Sequence, residues 1–72
     1  MNINEIYKLL DKNIIIYTNE NTKHIGYAME IVLPEDDEEI QEPILVLEIE
    51  GRRSGTIDGF YINNIKSAKT VH

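Results

Sequence analysis

The chain has 72 residues, of which 13 are acidic and 7 are lysine or arginine, so its formal net charge is -6. Cysteine is absent, which excludes disulfides, thiolate metal sites and thiol chemistry. This length predicts one small domain, residues 1–72, whose core only just stabilises the fold and which self-association would help. No apolar run reaches the roughly 20 residues that cross a bilayer, and no signal-peptide pattern is visible, so we expect a cytoplasmic protein that does not bind membranes.

Residues 2–11 are predicted to form a short amphipathic helix. Asn2 is a typical N-cap, and Glu5 follows it at the spacing of a capping box. The apolar side chains that share one stripe of this helix are Ile3, Ile6, Tyr7 and Leu10. Because a helix of about ten residues is marginal alone, we expect this stripe to cover the core of a sheet.

The next segment, residues 13–18, is predicted to be the first strand because Ile14, Ile15 and Ile16 are consecutive β-branched residues. Both of its faces are apolar. We therefore expect one face to contact the core and the other to be covered by the helix or by another chain. Residues 19–23 are polar and predict a turn.

Residues 24–33 predict a long second strand. Its odd-numbered positions carry the larger apolar side chains, which are Ile25, Tyr27, Met29, Ile31 and Leu33. This period of two predicts that they share one face of a half-buried strand. Gly26 lies inside the strand, which indicates a sharp bend or the close approach of another backbone.

An acidic loop, residues 34–43, follows the second strand. It carries six carboxylates, those of Glu35, Asp36, Asp37, Glu38, Glu39 and Glu42. Like charge at this density cannot be buried, so the loop stands in water or faces a basic partner protein. A calcium loop alternates its ligands and contains a glycine. These acids are mostly contiguous and no glycine separates them, so we expect no bound metal and no cofactor.

Residues 44–50 predict a third strand with Leu45, Leu47 and Ile49 pointing inward. Residues 51–55 then form a turn with glycine at both ends. This turn carries the paired bases Arg52 and Arg53.

The remaining residues predict two further strands. Residues 56–62 form the fourth, and a bulge at Gly59 is expected to place Ile57 on one face and Phe60 on the other. Residues 63–64 make a tight turn. Residues 65–71 form a short last strand that exposes Lys66 and Lys69.

A short helix, five short strands, a long second strand with the early Gly26, a variable loop before Leu45 and the final sequence FYINNI of residues 60–65 together resemble the Sm-like (LSm) family. The resemblance covers residues 2–71. It implies a mainly β fold, a small five-stranded, strongly bent barrel of the Src homology 3 type with a short N-terminal α-helix. It also implies assembly into dimers or rings through strand edges.

The RNA-binding motifs of that family are not retained. Members that bind RNA carry an aspartate and asparagine pair after the second strand and Arg-Gly after the fourth. This chain has the acidic loop at the first place and Ile62, Asn63 and Asn64 at the second. The resemblance therefore implies the fold and the assembly more than RNA binding.

These observations favour a non-enzymatic binding module that self-associates through strand edges. Two alternatives stay open: a nucleic-acid-binding protein, or an acidic, phage-type inhibitor that imitates nucleic acid and captures a basic protein through the acidic loop. The candidate nucleic-acid contacts are Arg52, Arg53, Lys66, Lys69 and Tyr61. Catalysis is not expected, because the two histidines, His24 and His72, have no carboxylate at a spacing that indicates an acid/base pair.

Overall fold

One short helix and five antiparallel strands build the part of the chain that the computed structural model describes, residues 1–71. His72, one of the two histidines considered for catalysis, lies outside the described residues. The elements are α1 (Ile3–Tyr7), β1 (Asn13–Thr18), β2 (Lys23–Val32), β3 (Ile44–Ile49), β4 (Ile57–Tyr61), a 3₁₀ helix (Ile62–Asn64) and β5 (Ile65–Thr70). The prediction of a mainly β domain with five strands and an N-terminal helix is confirmed.

The five strands form one sheet in the order β4-β3-β2-β1-β5. β4 and β5 follow each other in the chain, yet they are the two edge strands of the sheet. Their connection is the 3₁₀ helix Ile62–Asn64. Because three extended residues reach only about 10 Å, the sheet must curl until its two edges approach each other at this corner. Within residues 1–71 the edges do not pair, so the sheet stays open.

The helix is shorter than its sequence pattern suggested. The Oδ1 of Asn2 accepts a hydrogen bond from the Glu5 N–H at 3.0 Å, which confirms the predicted N-cap. The extension to residue 11 is wrong, because Asp11 has a φ of 65°, which a right-handed helix cannot contain. Its N–H donates to the carbonyl of Ala28 at 2.9 Å, so this segment joins β2 instead.

The core lies on the concave side of the sheet, beneath α1. Ile6 of the helix is fully buried there, which confirms that α1 covers the core. The other buried apolar side chains of this cluster are Ile14, Ile16, Ala28, Leu45, Leu47, Ile62 and Ile65. Because α1 lies on the core side, it does not cover the outer face of β1, where Ile15 and Tyr17 are half-buried.

In the first half of β2, the side chains point to the face opposite to the one predicted. Ile25 is 44% exposed on the outer face, whereas Gly26 and Ala28 are buried. The cause is the close approach of β3, since a Cβ at Gly26 would lie 2.7 Å from the carbonyl oxygen of Glu48. Only a residue without a side chain fits inward at this place.

A bulge in β2 then restores the predicted direction. Ala28 pairs with Leu47 and Glu30 pairs with Val46, so Met29 is the extra residue. The side chain of Ile31 therefore packs against the core, although Ile25 does not. The expectation of one uninterrupted alternation over residues 24–33 is wrong for this reason.

The predicted bulge at Gly59 is also wrong. β4 pairs with β3 in an unbroken register that includes Val46 with Gly59 and Leu45 with Phe60. Simple alternation already places Ile57 and Phe60 on opposite faces. The second bulge lies in β5, where Lys66 is the residue that the pairing with β1 leaves out.

We expect the substitution Gly26→Ala to lower the free energy of unfolding by about 1–3 kcal/mol, because the added Cβ overlaps the β3 backbone. Urea titration of the two proteins measures this difference. Gly55→Asn is the matched control, since Gly55 has a φ of 81° that asparagine tolerates and no atom within 4 Å of a new Cβ. Equal losses for both variants would contradict a steric role for Gly26.

Candidate interaction surfaces

The acidic loop places all six of its predicted carboxylates at the surface. Its path is fixed by short-range hydrogen bonds, such as the Glu39 N–H donating to Oδ1 of Asp37 at 2.9 Å. Ile40, in the second half of the loop, is half-buried. At its end, Asn63 donates from Nδ2 to Oε1 of Glu42 at 2.7 Å, which ties the loop to the corner between β4 and β5. The loop therefore presents a concentrated negative charge from a defined backbone.

The arginine turn between β3 and β4 is folded around a carboxylate of its own chain. Oε1 of Glu48 accepts from the Arg53 N–H at 2.6 Å, and Oε2 accepts from the Gly55 N–H at 3.1 Å. Glu50 and Arg53 both have a positive φ. Two backbone hydrogen bonds to one charged group offset the strain of this unusual conformation.

Arg52 is engaged by an aromatic ring of β2. Its guanidinium carbon lies 5.5 Å from the centroid of the Tyr27 ring, within cation–π range. The Tyr27 hydroxyl donates to Oδ1 of Asp11 at 2.7 Å. This chain of contacts joins the arginine turn, β2 and the segment after the helix.

The hydrogen bond to Asp11 raises the pKa of Tyr27 above its ordinary value of 10.0. Partial burial and the negative charges of Asp11 and Glu48 act in the same direction, and the positive charge of Arg52 opposes them. The hydroxyl therefore keeps its proton, and the hydrogen bond persists, to a higher pH than in an unfolded chain.

Among the predicted nucleic-acid residues, Tyr61 lies apart from the two arginines. Lys69 lies on the outer face opposite Ile15, and Lys66 is the bulged residue of the β5 edge. Tyr61 pairs with Ile44 at the start of β3. Arg52 and Arg53 follow the other end of that strand, whose six residues span about 20 Å. Tyr61 is therefore separated from the arginines by the length of the β3–β4 hairpin.

His24 contacts an aromatic ring and a threonine hydroxyl. Its ring centroid lies 4.5 Å from that of Phe60, at an interplanar angle of 47°. Its Nε2 lies 3.1 Å from Oγ1 of Thr22. The contact with Phe60 joins β2 to β4 across the concave side of the sheet. Among residues 1–71, no three histidine, aspartate or glutamate side chains are grouped as metal ligands.

An exposed apolar patch on the convex side was not predicted from the sequence. We call it the outer apolar face; its residues are Met29, Val32, Ile44, Val46, Ile57 and Tyr61. Ile57 and Tyr61 are 60% and 52% exposed. The signal for this patch was the alternation of positions 57, 59 and 61 in β4, which the assumed bulge at Gly59 concealed.

No helix within the described residues is long and apolar enough to span a membrane. Comparison of the chain with protein-family models, with curated proteins and with solved structures finds no match in any of the three.

The substitution Asp11→Asn is expected to lower the pKa of Tyr27 toward 10.0, because it weakens the hydrogen bond that the hydroxyl donates and removes the negative charge of the acceptor. Ultraviolet titration of tyrosinate measures the shift, with Tyr27→Phe identifying the signal and Asp36→Asn as the control. Because folding raises this pKa, the stability that the pair contributes is present below pH 10 and is lost as the pH rises through the raised value. An unchanged titration in Asp11→Asn would disprove the assignment.

Replacing Glu48 by alanine should destabilise the chain by about 1–2 kcal/mol, since two backbone N–H groups of the arginine turn lose a charged acceptor. Glu48→Gln keeps one oxygen acceptor, so it should lower the stability less than Glu48→Ala. Glu50→Ala removes a nearby carboxylate and serves as the control. Thermal unfolding of the three variants gives the order of stability, and an equal effect of Glu50→Ala would count against this role of Glu48.

Proposed function

We propose that this chain is a non-enzymatic assembly module of the Sm-like barrel type, which binds further copies of itself through the two edges of its sheet. The observation that carries the proposal is that β4 and β5 each have one neighbouring strand and one open side. An open strand edge is a template for pairing with another strand. The strand order, the helix over the core and the three-residue link between the edge strands support the barrel resemblance.

The open side of β4 can be traced from its hydrogen bonds. The Ile62 N–H donates to the carbonyl of Pro43 at 3.0 Å, which sets the alternation of the β3–β4 ladder. The residues whose backbone groups then point away from β3 are Ile57, Gly59 and Tyr61. In agreement, the Gly59 N–H donates to Oδ1 of Asp58 at 2.9 Å instead of to β3.

The open side of β5 follows from the same reasoning. The Val71 N–H donates to the carbonyl of Asn13 at 2.8 Å. Alternation then directs the backbone groups of Ala68 and Thr70 away from β1. Both edges thus carry backbone donors and acceptors that a second strand can pair with.

The two edges differ in charge, which favours pairing one kind with the other. β5 carries Lys66 and Lys69, whereas β4 carries Asp58 and ends beside the acidic loop. Pairing of β4 in one copy with β5 in the next joins opposite charges and leaves β5 free on the first copy and β4 free on the second. Such head-to-tail contacts close into a ring or extend as a filament.

Light scattering behind a sizing column tests the proposal. We expect a mass well above the 8.3 kDa of one chain. Ala68→Pro should reduce the mass to that of a monomer, because proline removes an outward N–H without breaking the ladder to β1. A wild-type chain that stays monomeric at high concentration would overturn the proposal.

Reversing the charge of the β5 edge tests whether its lysines contribute to self-association. Lys66→Glu/Lys69→Glu should weaken self-association most at low salt, where charge is least screened. Lys8→Glu/Lys23→Glu changes the net charge by the same amount at residues outside β4 and β5. Equal effects of the two double variants would show that net charge, and not the β5 edge, controls assembly.

A further inference from the structure

The outer apolar face consists of three exposed side chains, those of Met29, Ile57 and Tyr61, and three half-buried ones, those of Val32, Ile44 and Val46. Ile57 and Tyr61 lie on β4, Ile44 and Val46 on β3, and Met29 projects from the bulge of β2. Single exposed apolar side chains are ordinary on protein surfaces, but a contiguous group spread over three strands indicates a contact site. Its side chains stand perpendicular to the sheet, so strand pairing at the edges would leave this face uncovered.

The face is continuous across Gly59. Gly59 lies between Ile57 and Tyr61 on β4 and pairs with Val46. A Cβ at Gly59 would lie 3.0 Å from Cγ2 of Ile44, so the Ile44 side chain occupies the space that the missing side chain leaves. Ile57 and Tyr61 are thus the more exposed side chains, beside the half-buried Ile44 and Val46.

The border of the face is acidic except at the arginine turn. Residues 24–51, which include β2 after Lys23, the acidic loop and β3, contain no lysine or arginine, and neither does β4. Arg52 lies over the ring of Tyr27, which pairs with Glu48 beside Ile57. Glu30 pairs with Val46 at the centre of the face, and the acidic loop connects Val32 to Ile44. A partner that covers the apolar side chains also desolvates these carboxylates, which costs free energy unless the partner supplies positive charge.

We infer that the outer apolar face binds a basic polypeptide segment of a partner protein, which places apolar side chains against Ile57 and Tyr61 and its lysine or arginine side chains against Glu30 and the acidic loop. The charge around the face favours this occupant, since the carboxylates of residues 24–51 outnumber the two bases of the arginine turn and repel a nucleic acid or an anionic membrane. This binding uses side chains on the convex face, whereas self-association uses the backbone edges of the sheet.

Two synthetic peptides of equal length and charge probe the face, one alternating lysine with leucine and the other lysine with serine. Calorimetry should show tighter binding of the lysine–leucine peptide. The double variant Ile57→Ser/Tyr61→Ser should weaken it by about tenfold or more, the loss that central interface side chains carry. Nuclear magnetic resonance should place the largest shifts on the methyl groups of Met29, Val46 and Ile57.

The control is Ile25→Ser, which removes an exposed apolar side chain from another part of the convex surface. It should leave the affinity unchanged. Equal binding of both peptides, an equal loss in Ile25→Ser, or shifts confined to the acidic loop would overturn the inference and indicate charge attraction alone. Binding of duplex DNA to this face would also overturn it.

The same titration on Ala68→Pro separates the two proposals. Its affinity for the lysine–leucine peptide should equal that of the wild type, because β5 is not part of the outer apolar face. A monomeric wild type that binds the peptide would refute the edge assembly alone. A lower solution mass in Ile57→Ser/Tyr61→Ser without any loss of peptide binding would show that a second copy covers the face, and would refute this inference.

Discussion

The fold depends on a sheet whose edge strands are linked by three residues. Because Ile62–Asn64 is too short to span a flat five-stranded sheet, the sheet must curl. The strands β2 and β3, which lie between the two edges, must therefore bend. Gly26 permits that bend by letting the β3 backbone approach within the space of a missing Cβ. The corner is then fixed by polar contacts. Asn64 donates from Nδ2 to both carboxylate oxygens of Glu20, at 3.0 and 2.8 Å, and the Asn19 N–H donates to the Asn64 carbonyl at 2.9 Å.

Local patterns in the sequence identified the elements because their apolar residues have clear periods. The five strands and the Asn2 cap were predictable from β-branched runs, alternation and capping spacing. The direction of each side chain in β2 was not. It depends on the contact between Gly26 and the Glu48 carbonyl and on the extra residue at Met29, and both arise only when β3 packs beside β2. The predicted length of the helix was wrong for a similar reason, since the Asp11 N–H is hydrogen-bonded to β2.

The candidate sites, too, were predictable only in part. The exposure of the acidic carboxylates followed from their charge alone, and the structure places every one of them at the surface. The grouping of the basic residues could not be derived from their order in the chain. Arg52 is held on Tyr27, which is 25 residues away in the sequence, and the Arg53 backbone is held on Glu48 only because the turn folds back on the end of β3. The outer apolar face was hidden because it draws side chains from three strands, none of which shows an unusual pattern alone.

The hydrogen bond from the Gly59 N–H to Asp58 has a consequence for the proposed pairing of strand edges. The carboxylate occupies the donor that an incoming strand would use. Under that proposal, two copies would pair only after the Asp58 side chain had rotated away, and the new hydrogen bond would replace one that already existed. Pairing at β4 would then carry a small activation barrier and a reduced gain in free energy, for unrelated strands as well as for a true partner.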